Sequence, residues 1–124
     1  FGLSNTAQDI RIDIGPSSAT LHSPKGFDKV ISHENISLTT LDEYIKHSML
    51  DKVDFIKIDI DGHEPQFFDG AWDTLEKFSP TLIFEVSHLH YLEAGVVAWE
   101  FYDYVCSKGF RFFYEDDFTE VKSG

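Results

Sequence analysis

Val53-Asp54-Phe55-Ile56-Lys57-Ile58-Asp59-Ile60-Asp61-Gly62-His63-Glu64 is the stretch from which the rest of the chain is read. It opens apolar and closes in charge. Val53, Phe55, Ile56, Ile58 and Ile60 predict a central strand over residues 53–60. So continuous an apolar run fits a parallel strand buried on both faces. Asp59, Asp61, His63 and Glu64 collect at its carboxyl end, and Gly62 permits a sharp turn there. Ligands of open α/β sheets bind outside the carboxyl ends of the strands, so the polar cluster stands where a site is expected.

The 124 residues suit one domain, 1–124, with one core. A chain of this size buries about two-thirds of its unfolded surface. Apolar content of 42% and aromatic content of 15% predict a packed globular fold. The formal charge of -12 argues against nucleic-acid backbones and anionic membranes as partners. The sequence has no apolar run long enough to span a bilayer and no signal-peptide pattern. The lone Cys106 fits a reducing compartment, so the expected location is cytoplasmic. Phe1 in place of Met points to a processed chain or a segment of a longer one.

Outward from the central strand, the chain alternates strands and helices. Residues 1–6 read as a strand end and turn. Ile10, Ile12 and Ile14 alternate with Asp9, Arg11 and Asp13 in a half-exposed strand. Residues 15–18 (Gly-Pro-Ser-Ser) read as a turn, 19–22 as a returning strand, 23–35 as a surface loop and 36–39 as a short strand. Thr40 and Glu43 have capping-box spacing before a helix whose stripe is Leu41, Tyr44, Ile45 and Met49. A second helix starts near Pro65, buries Phe67, Phe68, Ala71, Leu75 and Phe78, and ends at Ser79-Pro80. Residues 81–86 form a strand ending in Glu85, 87–95 a connection, and 97–107 a helix capped by Gly109. Residues 110–114 and 118–121 pair as an antiparallel hairpin. This order implies an α/β layered sheet.

Several chemistries use a cluster such as D-I-D-G-H-E. An EF-hand loop is excluded: with Asp59 and Asp61 as its third and fifth positions, Lys57 stands first and Phe68 twelfth. The segment is similar to the D-x-D motif of the haloacid dehalogenase family, which continues with Thr or Val where this chain has His63-Glu64. It is also similar to the cation-binding D-x-D of nucleotide-sugar glycosyltransferases, which would place Asp59 and Asp61 on a divalent ion.

A longer pattern covers residues 1–87: L-S-N at Leu3-Ser4-Asn5, T-L-D at Thr40-Leu41-Asp42, then Asp54, Lys57, Asp59, Gly62, Glu64, Gly70, Ala71, Pro80 and Glu85. This pattern resembles the FkbM family of S-adenosylmethionine-dependent methyltransferases. The resemblance implies a Rossmann-like class I methyltransferase sheet, here its carboxyl-terminal half with a closing antiparallel hairpin. It implies an upstream half with a Gly-rich loop and an acidic residue; the eight glycines here form no G-x-G. The implied activity is methyl transfer from S-adenosylmethionine, most naturally O-methylation of a small molecule or sugar hydroxyl. No metal ligand is assigned: a divalent ion held by Asp59 and Glu85, similar to the metal pair of catechol-type O-methyltransferases, is possible but not expected. Two rivals stand beside this reading: the metal-dependent glycosyltransferase, and a non-catalytic half-domain that assembles as a homodimer or with a missing upstream half.

Each candidate residue has a functional and a structural reading. Asp59 either accepts the proton of an attacking hydroxyl and borders the cofactor, or caps the next helix through its macrodipole. Glu85, ending the neighbouring strand, either joins Asp59 at the site or is a solvated strand end. His63 is a base or an exposed loop residue. By the resemblance, Ser4 and Asn5 lie near the adenine ring; otherwise they are turn residues. Lys57, expected in a buried strand, needs Glu64 or Glu85 as its partner. Glu64 either serves that pair or the helix terminus. His88 and His90 form an H-x-H beyond Glu85, and Trp72 and Trp99 are expected in the core or an interface.

Overall fold

The computed structural model describes residues 1–15, 19–20 and 30–122. The expected turn over 16–18, the end of the returning strand at 21–22 and the loop over 23–29 lie outside them. Among the described residues, six strands and five helices form a mixed α/β fold with two sheets.

The first sheet holds β1 (Gly2–Leu3), β2 (Gln8–Ile14), β3 (Ala19–Thr20) and β4 (Ser32–Thr39), in the order β1-β4-β2-β3. Strand β4 starts at Ser32, not at residue 36 as expected. Ser32–Asn35 pair antiparallel with Arg11–Ile14, while their own side chains are exposed. A strand wet on both faces has no hydrophobic alternation to announce it. Cross-strand side-chain pairs support the register: His33 Nδ1 lies 2.6 Å from Asp13 Oδ1, and Ser37 Oγ donates to Asp9 Oδ1 at 2.6 Å.

The second sheet is β5 (Phe55–Ile58) paired in parallel with β6 (Thr81–Phe84), from Phe55↔Thr81 to Ile58↔Phe84. Ile56 and Ile58 face the helices together with Leu82 and Phe84. Phe55 and Ile83 face outward, 53% and 46% exposed. The expectation of a strand buried on both faces is therefore corrected: β5 has helices on one face and, among the described residues, one partner strand. The strands divide between two sheets instead of joining the single layered sheet expected. The two-residue β1 offers too short an edge to carry a ladder onward to β5.

Helix α1 (Leu41–Ser48) begins as its sequence predicts, with Thr40 Oγ1 accepting from Glu43 N at 3.0 Å. Leu41 and Ile45 are buried, but Met49 is the left-handed C-cap and lies 89% exposed, outside the stripe assigned to it. The helix expected from Pro65 to Phe78 is two: α2 (Glu64–Asp69) and α3 (Trp72–Phe78). The break falls at Gly70, where a Cβ would stand 2.1 Å from the Ser4 carbonyl oxygen. That neighbour is backbone and cannot swing aside. Asp42 caps α3 from outside, accepting from Thr74 N at 2.8 Å and Asp73 N at 3.3 Å. Its own N–H donates to the Gly70 carbonyl, and Ser4 N donates to the Thr39 carbonyl. Three remote segments thus lock at one junction.

Phe67, Phe68, Ala71 and Leu75 fill the core from α2, the junction and α3. Phe68 stands edge-on to Phe84 and Phe101, with ring centres 5.4 and 5.3 Å away. The connection expected over 87–95 contains α4 (His88–Glu93), N-capped by Ser87, and Tyr91 is its one buried residue. A single inward side chain on six residues leaves no period to read. Helix α5 (Ala98–Ser107) buries Phe101 and Val105, and Gly109 follows it at φ +93°. The closing hairpin is reduced to one bridge, Phe113↔Glu120, reinforced by a two-pronged Arg111–Glu120 ion pair at 2.8 and 3.0 Å.

Gly70→Ala is expected to destabilise the chain by about 2 kcal/mol or more, since overpacking against backbone has no cheap relief. Asp42→Ala should cost about 1–2 kcal/mol through the lost cap, and Asp42→Asn, which keeps an acceptor, less. Urea unfolding of the three variants measures both effects.

Candidate functional site

The turn that follows β5 builds the site. His63 N donates to the Ile60 carbonyl at 3.2 Å. Between them, Asp61 and Gly62 both adopt positive φ, 49° and 93°. Two successive left-handed residues give the shape of a type I′ turn, which Asp and Gly tolerate best. Gly62 is required a second time by packing: a Cβ there would meet the His90 Cβ at 2.9 Å and its carbonyl oxygen at 3.0 Å. So α4 rests directly on the turn.

Glu64, the first residue of α2, is buried. Burial pushes its carboxyl pKa above the usual range, and the nearby Asp61 charge adds to this. Backbone N–H groups of Glu64 itself, Ile60 and Gly62 pull the other way, because they favour the carboxylate. The pairing with Lys57 expected of it is not found, because Lys57 pairs with Asp59.

Ser4 is buried beside this turn. Its hydroxyl lies 2.9 Å from His63 Nε2 and donates to Asn5 Oδ1 at 3.3 Å. The bond joins residues 59 apart in sequence and brings the L-S-N segment to the carboxyl end of β5. Ser4 itself is 1% exposed, whereas Asn5 is open to solvent.

Asp59 and Glu85 each stand one residue beyond the last paired residues, Ile58↔Phe84, so they share one edge of the parallel pair. Both are exposed. Lys57 is exposed too, correcting its expected burial, and its Nζ pairs with Asp59 Oδ2 at 2.7 Å instead of with Glu64 or Glu85. Residues two apart on a strand share a face, which explains the choice. The Asp59 hydrogen bond, followed by its charge, raises the Lys57 pKa. His88 is exposed and His90 half-buried on α4. Among the described residues, no group of three His, Cys, Asp or Glu side chains is placed to hold a metal ion. Trp72 packs against the core, its indole N–H donating to Tyr104 at 2.7 Å, while Trp99 is half-exposed.

The structure thus brings Ser4, Asn5 and His63 together and sets Asp59 beside Glu85 at the strand ends. Sequence reasoning missed Tyr91, which is fully buried on a segment read as a connection. It also missed the Ser4–His63 bond, for which no local pattern exists. No helix among the described residues is long and apolar enough to cross a membrane. Residues 3–112 match the family described as the methyltransferase FkbM domain. No curated protein and no solved structure matches the chain.

Glu64 has a folded pKa above its ordinary value of 4.5, so the folded state binds its proton more tightly than the unfolded state. Its contribution is full below that ordinary value and is lost as pH rises through the raised pKa. Wild-type stability is expected to carry a downward component over that window, which Glu64→Gln removes. Urea midpoints measured across weakly acidic pH check the sign. Ser4→Ala should cost about 1 kcal/mol through the lost His63 bond, with the His63 ring resonances shifting in the NMR spectrum.

Proposed function

Because the chain belongs to the FkbM methyltransferase domain family, we propose that it serves S-adenosylmethionine-dependent methyl transfer to a hydroxyl oxygen of a small molecule or sugar. The observation that carries this reading is the meeting of Ser4-Asn5 with His63 at the edge where Asp59 and Glu85 emerge. The parallel β5–α2–α3–β6 unit is the part of a class I sheet that the reading extends, and its carboxyl edge is where such folds take ligands.

The donor set fits the adenosine and methyl-bearing end of the cofactor. Asn5 presents an exposed carboxamide with both donors and acceptors, suited to an adenine edge. Ser4 and His63 fix that residue from behind. The cofactor, when bound, supplies a methyl group on a positively charged sulfur. The chain's own residues orient the partners for in-line attack, which accounts for most of such a barrier. Asp59 accepts the proton as the hydroxyl attacks, held in place by Lys57. His63 is the second proton acceptor at the same turn. Glu85 hydrogen-bonds the acceptor from the neighbouring strand.

A second reading, assembly with another copy or chain, is favoured by one observation. Phe55 and Ile83 leave one face of the parallel pair open, and parallel sheets are ordinarily covered on both. Light scattering separates a monomer from an assembly.

Calorimetric titration with S-adenosylhomocysteine is expected to give micromolar binding. Asn5→Ala should weaken it about tenfold, or 1.4 kcal/mol. Asp59→Asn should leave that affinity largely intact while lowering turnover by about 10²-fold or more. Absence of binding by the whole chain would overturn the cofactor assignment.

A further inference from the structure

The Ser4 hydroxyl has one hydrogen and two neighbours, and this fixes the direction of the chain they form. Ser4 Oγ donates to Asn5 Oδ1 at 3.3 Å, so it has no second proton for the ring nitrogen 2.9 Å away. His63 Nε2 must therefore carry a proton and donate it to Ser4 Oγ. The neutral ring then keeps its lone pair on Nδ1. At the other end, the Asn5 carboxamide has its oxygen toward Ser4, which turns its NH2 group away. Ser4 is buried and Asn5 exposed, so the chain runs from inside the turn to solvent.

The middle member is held from both sides. Ser4 N donates to the Thr39 carbonyl at 2.8 Å, and the Ser4 carbonyl packs against Gly70 where a Cβ would stand. The His63 N–H donates to the Ile60 carbonyl at 3.2 Å, and its own carbonyl accepts from Phe67 N at 3.1 Å. The opposite direction is self-consistent too: Asn5 would turn its NH2 to Ser4, Ser4 would donate to a bare Nε2, and the Asn5 oxygen would face out. The proton on Nε2 and the group that Asn5 shows to a ligand thus change together.

The structure assigns Ser4 as a positioning residue that decides specificity: it ties the proton on His63 Nε2 to the Asn5 carboxamide, so that Asn5 offers N–H donors and the ligand edge it meets carries a hydrogen-bond acceptor. That this edge belongs to adenine rests on the methyltransferase reading; the direction of the chain does not. Adenine carries acceptor nitrogens in its ring, and one of them is the group this arrangement selects. Once a ligand covers Asn5, the reverse direction would leave two acceptors opposed and unpaired. The same direction puts the basic nitrogen of the ring at Nδ1, the atom through which His63 accepts a proton in the proposed transfer.

The first arm of the test needs no ligand. An imidazole N–H is seen by NMR when a hydrogen bond shields it from exchange with water. The neutral His63 ring of the wild-type chain should show a proton on Nε2. Ser4→Ala should abolish that signal, and Asn5→Asp, which keeps an oxygen facing Ser4, should retain it. A bare Nε2 in the wild-type chain, or a signal unchanged in Ser4→Ala, overturns the proposal. The second arm is calorimetric. Asn5→Asp should weaken S-adenosylhomocysteine binding about tenfold or more, at least as much as Asn5→Ala, because an acceptor replaces the donor. Analogues in which each acceptor nitrogen of the adenine ring is replaced in turn by C–H should include one that binds the wild-type chain about fivefold more weakly, the scale of one hydrogen bond. Asn5→Ala should bind that analogue no worse than the parent compound. Wild-type affinity in Asn5→Asp, or equal binding of all the analogues, overturns the assignment of the donor. If the wild-type chain does not bind S-adenosylhomocysteine, the cofactor reading fails, while the NMR arm still decides the direction of the chain.

Discussion

Two consecutive residues in the left-handed region, Asp61 and Gly62, are the constraint on which this structure depends. Most side chains resist that backbone, and here it is enforced from two directions. The Ile60–His63 hydrogen bond closes the turn, and His90 leaves no room for a Cβ at Gly62. A turn so determined directs everything near it. Asp59 leaves the strand toward solvent on the Lys57 side, and His63 is delivered to Ser4. The N-terminal segment is then carried against Gly70 and the start of α3.

The residues of the family-like pattern separate by this criterion into two sets. Thr40, Asp42, Gly62, Glu64, Gly70, Ala71 and Pro80 serve shape: they cap, clear space or fill the core. Asp54, Lys57, Asp59 and Glu85 are exposed and satisfy no structural need of that kind. Asp54 stands at the amino end of β5 and pairs with Lys52, whereas Asp59 and Glu85 stand at the carboxyl edge of the parallel pair, where the proposed reaction would place its ligands. The division is sharper than a list of pattern residues would suggest, since Glu64 and Asp59 read alike in sequence and do opposite things.

Much of the fold was legible where local chemistry decides it. The Thr40 cap, the Gly62 turn, the Ser79-Pro80 stop and the Gly109 cap follow from backbone preferences of single residues, and each is found in place. What escaped reading was decided at a distance. Ser32–Asn35 join β4 because β2 lies alongside, with no apolar face of their own. The break at Gly70 exists because Ser4, 66 positions earlier, occupies the space a continuous helix would need a side chain to share. Helix α4 carries one inward residue, too few for any period. The apolar run of β5 overstated its burial, because hydrophobic residues are compatible with an open face as well as a covered one. The candidate site was legible as a cluster of residues at a strand end; the bond from Ser4 to His63 was not, since no spacing encodes it.

The Lys57–Asp59 pair gives the site a property that depends on its surroundings. Both groups face water, where the attraction between them is weak and screened by salt. In the proposed reaction the acceptor and the cofactor cover that edge and displace the water. The same two charges, unmoved, then interact in a medium of lower dielectric, and their attraction grows severalfold. The ammonium then holds the carboxylate in one orientation at the strand end. In the proposed methyl transfer the methyl group is already electrophilic, so a carboxylate held in place would serve chiefly by orienting the hydroxyl.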